Sequence, residues 1–409
     1  MRLLTLLFTA LVGLSLSLPS QAYPMTGTPV KQYQAFDTGF VSILRHWHLA
    51  GGAVAVIKNG KIVYSRGYGY ANLADHRAVQ PDTLFRVASV SKAITASAVL
   101  SLVQAGKLKL SDKAFTVLGT QPLPGQTVNP KAYNITVADL LYMTSGWSRW
   151  FDPMFGPWPR DYVSKLGTTL PADCATNARF MLSQPLGSTP GTSFVYSNMN
   201  YCMLGLIVEK ISGMTYVDYV KSHIFQPVGV TDTQLANTTL GMQNPREAMY
   251  YPVDPDQSQS TKDWIAIPGL PYGNNQLLFK NFSDGGWVAS APDLAKWADG
   301  LRSGKLLNKT MIKTMLSAPP AFRGPKTVHH KKGKATTVYW PYGMGWFLSR
   351  SGNYSFYYTH GSFTGTNAII FWRHDGTILV AIFNQKPGNY SGTQFVRNQV
   401  RALFLKKVP

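Results

Sequence analysis

Apolar positions form β-rich runs near both ends of the chain and helix-spaced rows between them. The segment GGAVAVIKNGKIVYSRGYGYANL, residues 51–73, reads as two strands around Asn59-Gly60, the pair best suited to a two-residue type I′ hairpin turn. Far downstream, YGMGWFLS, SFYYTHGS, NAIIFWR and TILVAIFNQ read as further strands, the last two joined through His374-Asp375-Gly376. A basic amphipathic helix carrying Val396, Val400 and Leu403 closes the chain. Packing of its apolar side onto the sheet is a plainer use than lying on a membrane.

The middle changes rhythm. AITASAVLSLVQAG, residues 93–106, contains no charge, and a helix that is apolar all round is buried in a core. ITVADLLYMTSGW, residues 135–147, predicts a short helix ending at Gly146. In NYCMLGLIVEKISG, Leu204, Ile207, Val208 and Ile211 fall at i, i+3, i+4 and i+7, with Gly213 placed as a C-terminal cap. SAPDLAKWADGL has Ser290 and Asp293 at capping-box spacing and a proline in the first turn. Strands from both termini with helices between predict an α/β (α+β) fold. The sheet domain is expected from residues 23–86 and 285–409, with a mostly helical domain, 87–284, inserted in it.

The remaining bulk properties narrow the setting. The first 22 residues read as a secretory signal: Arg2, an apolar stretch too short for a spanning helix, and a small-residue cleavage site at Ser20–Ala22. A mature, periplasmic or secreted chain starting near Tyr23 is expected, with no membrane span. The net charge of +20 suits an anionic neighbourhood such as a cell envelope. With no finger, nucleotide fingerprint or dense basic helix, nucleic acid is not an expected partner. The histidine pairs lack further ligands at zinc spacing, so no metal is expected. Cys174 and Cys202, the only cysteines, are either a disulfide closing a loop around YSNMN or two buried thiols.

One placement opposes stability. Lys92 stands at the first turn of the charge-free helix, where the macrodipole disfavours a cation, three residues after Ser89. Residues three apart at a helix start share a face, so the amine reaches the hydroxyl. Serine is a weak nucleophile until a base takes its proton, and burial together with the positive helix end favours the neutral, basic form of lysine. The same helix end offers the Ser89 N–H to a developing oxyanion. S-x-x-K occurs once in the chain. A proton relay is offered by Tyr-Ser-Asn at Tyr196–Asn198, with Asn198 as a polar contact to Lys92 or a substrate amide. Tyr70-Ala71-Asn72 and Tyr272-Gly273-Asn274 match the same pattern, but Tyr196 lies in a loop just before a helix, where a side chain can face a cleft. In THGSFTG, small residues beside His360 let a substrate approach the backbone, and the Phe363 N–H is a second oxyanion donor.

These elements, in this order, resemble the serine β-lactamase and D-Ala-D-Ala peptidase superfamily, with the class C enzymes, their esterase relatives and related peptidases nearest. PDTLFRVASVSKAITASAVLSLVQAGKLKLSD, PGTSFVYSNMNYCMLGLIVEKISG and the run from GGWVASAPDLAKWADGL to IFNQ carry the resemblance over roughly residues 35 to 405. It implies a β-lactamase-like fold with an antiparallel sheet. It implies Ser89 as acylated nucleophile, Lys92 and Tyr196 as proton handlers, and Asn198, His360, Gly361, Ser362 and Phe363 around the substrate, with no cofactor. The implied substrates are peptidoglycan-like D-amino-acid peptides, small esters, then β-lactams. Where β-lactamases usually carry lysine, this chain has His360, an imidazole expected to titrate near neutrality in place of a permanent charge. The other readings to separate are a carboxylesterase of the same fold and a non-catalytic sensor or scaffold. A Ser-His-Asp hydrolase is disfavoured, because G-x-S-x-G does not occur.

Overall fold

A computed structural model of the chain describes residues 23–148, 152–154, 158–168, 170, 172–237, 243–251, 264–265, 282–319, 322, 326–329, 335–338, 342–351, 354–363, 365–388 and 390–409. The leader expected over residues 1–22 lies outside them, as does Tyr272-Gly273-Asn274. The elements used below are α1 (Gln34–His46), β1 (Gly51–Lys58), β2 (Lys61–Asn72), α2 (Val90–Gln104), α3 (Val137–Leu141), α4 (Cys174–Met181), α5 (Asn198–Ser212) and α6 (Ala291–Arg302). They continue with β3 (Phe347–Ser351), β4 (Tyr354–Phe363), β5 (Thr366–Arg373), β6 (Ile378–Phe383) and α7 (Tyr390–Lys407).

The main sheet is antiparallel and its six longer strands run β2-β1-β6-β5-β4-β3, with Met25–Thr26 and Arg77–Ala78 pairing short against β2, so strands from the two ends of the chain meet where β6 pairs with β1. The hairpin turn forms as expected: Asn59 and Gly60 both have positive φ, 51° and 77°, as type I′ requires. Side chains alternate between two cores. Ala53, Ala55 and Ile57 of β1, with Ile378, Val380 and Ile382 of β6, face the core shared with α2, α5 and α6. Val54, Val56, Leu379, Ala381 and Phe383 face the core closed by α1 and α7, where Val396, Val400 and Phe404 pack. Helices cover both faces, which is why β1 and β6 read as nearly continuous apolar runs rather than strict alternation. Among the described residues no helix is long and apolar enough to cross a membrane.

Two expected boundaries move. The helix expected to end at Gly146 stops at Leu141. Thr136 and Asp139 start it with a reciprocal capping box, but Met143 takes φ 60°, which ends helical continuation. The strand expected from Tyr342 pairs continuously only from Phe347, because Gly343 and Gly345 are used for close approach instead. A Cβ at Gly345 would lie 2.6 Å from the Ala93 Cα, so the loop before β3 presses directly on the first turns of α2.

A buried pair anchors the entry to α2. Arg86 and Glu247, both almost without solvent exposure, approach to 3.5 Å, and the Arg86 guanidinium lies 4.5 Å from the Tyr250 ring centroid. Tyr250 accepts from the Arg86 backbone N–H at 2.6 Å and donates to Glu247 at 3.0 Å. Burial outweighs the pull of Arg86 and pushes the Glu247 carboxyl up to about 7. Removing one member of such a pair strands the other, so Glu247→Ala is expected to destabilise the protein by about 3–5 kcal/mol. Denaturant midpoints against the unaltered protein measure it.

Candidate active site

The site grows from the turn between Arg86 and Val90. Phe85–Arg86 pairs with Trp287–Ala289, and the Val87 N–H donates to the Trp287 carbonyl at 3.0 Å. Ala88 then takes φ 47°, a conformation that costs a non-glycine residue roughly 1–2 kcal/mol, and the chain turns sharply into α2. Ser89 occupies the N-cap position, half-buried, and among the described residues its N–H donates no hydrogen bond.

Lys92 lies beneath it, 1% exposed. Its Nζ reaches three oxygens: Ser89 Oγ at 2.9 Å, Asn198 Oδ1 at 2.7 Å and the Asp284 carbonyl at 2.7 Å. Two of these are carbonyl oxygens, which only accept. An unprotonated amine there gives its two hydrogens to Asn198 and Asp284 and turns its lone pair to the one partner able to donate, the Ser89 hydroxyl. The geometry thus orients a base toward its proton.

Asn198 opens α5, and Asp152 fixes its amide: the Asp152 carboxylate accepts from the Asn198 side-chain nitrogen at 3.1 Å and from its backbone N–H at 2.5 Å. With the nitrogen committed to Asp152, the amide oxygen is left for Lys92. Burial raises the Asp152 carboxyl above its ordinary range, while the Asn198 and Met154 donors and Lys92 oppose that shift. Tyr196, 40% exposed, brings its ring centroid to 5.1 Å from Lys92 Nζ. The contact is therefore with the ring face, and among the described residues the phenol oxygen has no hydrogen-bond partner. Met143 supports this segment from below. Its carbonyl accepts from Val195 at 2.9 Å and its sulfur from Ser197 and Asn200 at 3.5 and 3.3 Å, so the early end of α3 has a purpose. Cys174 and Cys202 are bonded, Cα atoms 5.7 Å apart, tying α4 to α5 one turn beyond Asn198.

The other wall is β4, and here the expected roles shift. His360 pairs with Ile369 and Gly361 with Ala368. Ile369 belongs to the α1–α7 core and Ala368 to the α2 core, so Gly361, not His360, faces the turn between Arg86 and Val90. A Cβ at position 361 would lie 2.0 Å from the Val87 carbonyl oxygen and 2.6 Å from the Ser89 nitrogen. His360 stacks on Phe347 and Tyr358 at 5.1 and 6.1 Å. Burial, reinforced by the positive charges of Arg397 and Lys92, lowers its imidazole to about 3. The expectation of titration near neutrality is corrected: the ring is neutral at neutral pH because its charged form is desolvated. Ser362 is half-buried, and Phe363 packs into the small cluster of Leu84, Ala88, Ala236 and Val288. Tyr70-Ala71-Asn72, the competing tyrosine motif, is part of β2.

Sequence reasoning missed three residues. Asp152 and Asp284 stand in segments that look like ordinary turns, and Met143 looks like one more helical apolar position. Only the Gly-Gly after Asp284 hinted at tight packing there.

The family model described as Beta-lactamase matches residues 38–401, and the chain belongs to that family. It is 26% identical over 322 residues to Protein flp of Staphylococcus aureus (strain MW2), covering 77% of this chain and 56% of that protein, so it spans about half the length of that relative. Its fold matches a D-amino acid amidase from Ochrobactrum anthropi SV3 complexed with L-phenylalanine amide, at TM-score 0.67 and 20% identity, covering 92% of this chain and 100% of that one. It also matches an octameric penicillin-binding protein homologue from Pyrococcus abyssi, at TM-score 0.66 and 22% identity, covering 91% and 76%.

Because the atoms facing Gly361 are backbone, they have nowhere to move. Gly361→Ala is expected to push β4 off the nucleophile turn and to cut acylation of Ser89 by about 10²-fold, the scale of a misplacement near 1 Å. Acylation rates from intact-mass time courses measure it, with circular dichroism to show a retained fold.

Proposed function

We propose that this chain is a serine hydrolase working by acyl transfer. The observation that carries the reading is the buried Lys92 amine held 2.9 Å from Ser89 Oγ between two acceptor-only carbonyls. Ser89 Oγ attacks a substrate carbonyl carbon while Lys92 takes the hydroxyl proton. The Ser89 N–H and the Phe363 N–H stabilise the resulting oxyanion. The C–N or C–O bond then breaks, and Lys92 with Tyr196 returns a proton to the leaving amine or alcohol. Water, deprotonated by the same pair, attacks the acyl carbon and frees Ser89.

D-amino-acid amides and peptides are the first substrate class, then small esters, then β-lactams. The fold shared with a D-amino acid amidase supports that order. So does the absence of a cation at position 360: the neutral His360, turned to the far sheet face, supplies no fixed positive charge for a β-lactam carboxylate. The net charge of +20 and the leader expected over residues 1–22 support a reaction at a cell envelope.

The test is intact-mass spectrometry after mixing with benzylpenicillin, a p-nitrophenyl ester and a D-amino-acid amide. A transient adduct that Ser89→Ala abolishes and Lys92→Ala slows by about 10²–10⁴-fold is expected. No adduct, or one that never turns over, makes the chain a binding module instead.

A further inference from the structure

The site holds a buried acid whose side chain the acyl-transfer scheme leaves idle. Asp284 lies on the short helical turn Phe282–Gly285, packed between α2 and α5, and is fully buried. Its backbone carbonyl accepts from Lys92. Among the described residues, neither carboxyl oxygen has a hydrogen-bond partner. This is unusual: a buried carboxylate is normally met by several donors, as Asp152 is by three. The two acids flank the same lysine but are built differently. Asp152 has the donors that suit an anion, and Asp284 has none.

We propose that Asp284 is a positioning residue for the Ser89–Lys92 pair: as a neutral acid it leaves Lys92 free to act as an amine, and as a carboxylate it holds Lys92 as an ammonium. The inference rests on the acyl-transfer reading above. Electrostatics supports it: ionising Asp284 puts an anion beside Lys92, and a nearby anion stabilises an ammonium, whereas the neutral acid adds no charge there. Among the described residues, the titratable groups around it are Lys92 on α2, Asp152 from the segment after α3 and Tyr216 on the helix Tyr216–Val220, while α5 presents the uncharged Asn198. Tyr216 stays neutral, its phenol raised above the ordinary value mainly by burial. Burial raises the Asp284 carboxyl to about 7, with Lys92 opposing and Asp152 adding to the shift. The change of state therefore falls near neutrality.

Two readouts on Asp284→Asn, which keeps the shape of the neutral acid, test the idea. The first is thermal stability. An acid raised on folding stabilises the native state below its unfolded value and loses that contribution as pH rises through the folded one. The variant's melting temperature relative to the unaltered protein is therefore expected to rise between pH 5 and pH 8. The second is the rate of Ser89 acylation by the p-nitrophenyl ester. The two proteins are expected to react alike at pH 6, and the variant about tenfold faster at pH 9, the scale of one neighbouring charge. A melting-temperature difference that does not change with pH overturns the proposal. So does one that changes while the rate ratio stays constant, since Asp284 would then ionise without acting on Lys92, and the hydrolase reading would survive. If neither protein is labelled at any pH, the hydrolase reading fails and this inference fails with it. Should the Asn variant not fold, Asp284→Ala gives the same two comparisons.

Discussion

A single amine buried among oxygens organises this molecule. Lys92 is sealed from water and reaches Ser89, Asn198 and the Asp284 carbonyl at once. Each partner comes from a different part of the chain, so the amine defines where three segments must meet. Taking a lysine head group out of water is costly unless its hydrogen-bonding positions are filled. Filling them requires α5 to begin at Asn198, the turn at Asp284 to offer its carbonyl, and α2 to start where Ser89 stands one turn away. The awkwardness of a lysine at a helix N-terminus is thus resolved by tertiary contacts rather than by exposure.

The surrounding scaffold can be understood as support for that meeting point. Two close approaches, of Gly345 to Ala93 and of Gly361 to the turn at Ala88, let backbone touch backbone around the start of α2 where side chains would hold the layers apart. Met143 and the Cys174–Cys202 bond fix the start of α5 from two sides. The Arg86–Glu247–Tyr250 cluster performs the same service for the strand entering the turn. Rigid positioning of this kind is what lets a reacting pair keep a short, aligned contact without substrate.

Much of this was legible from the residues because it is local. The Asn59-Gly60 hairpin, the uncharged helix, the Gly213 cap and the Ser89–Lys92 spacing each depend on a few neighbouring positions. What could not be read depends on distant segments meeting. The side on which His360 emerges is a matter of strand register, and one residue of slip exchanges it with Gly361. The short α3 reflects a demand made by residues 195–200, which lie far downstream. Asp152 and Asp284 carry no pattern of their own, since their environment is supplied by α2 and α5. Local spacing brought Ser89 and Lys92 together, and long-range packing decided their company.

The pairing of β6 with β1 has a consequence for biogenesis. Residues 378–383 insert between strands from opposite ends of the polypeptide, and the Lys58 ammonium even donates to the Pro409 carbonyl at 3.2 Å. The wall that α2 leans on is therefore unfinished until residues 378–383 have left the ribosome. Contacts this distant in sequence form slowly, and the apolar helix α2 emerges long before its cover. The strand that completes the sheet is thus also one of the last that the order of synthesis supplies.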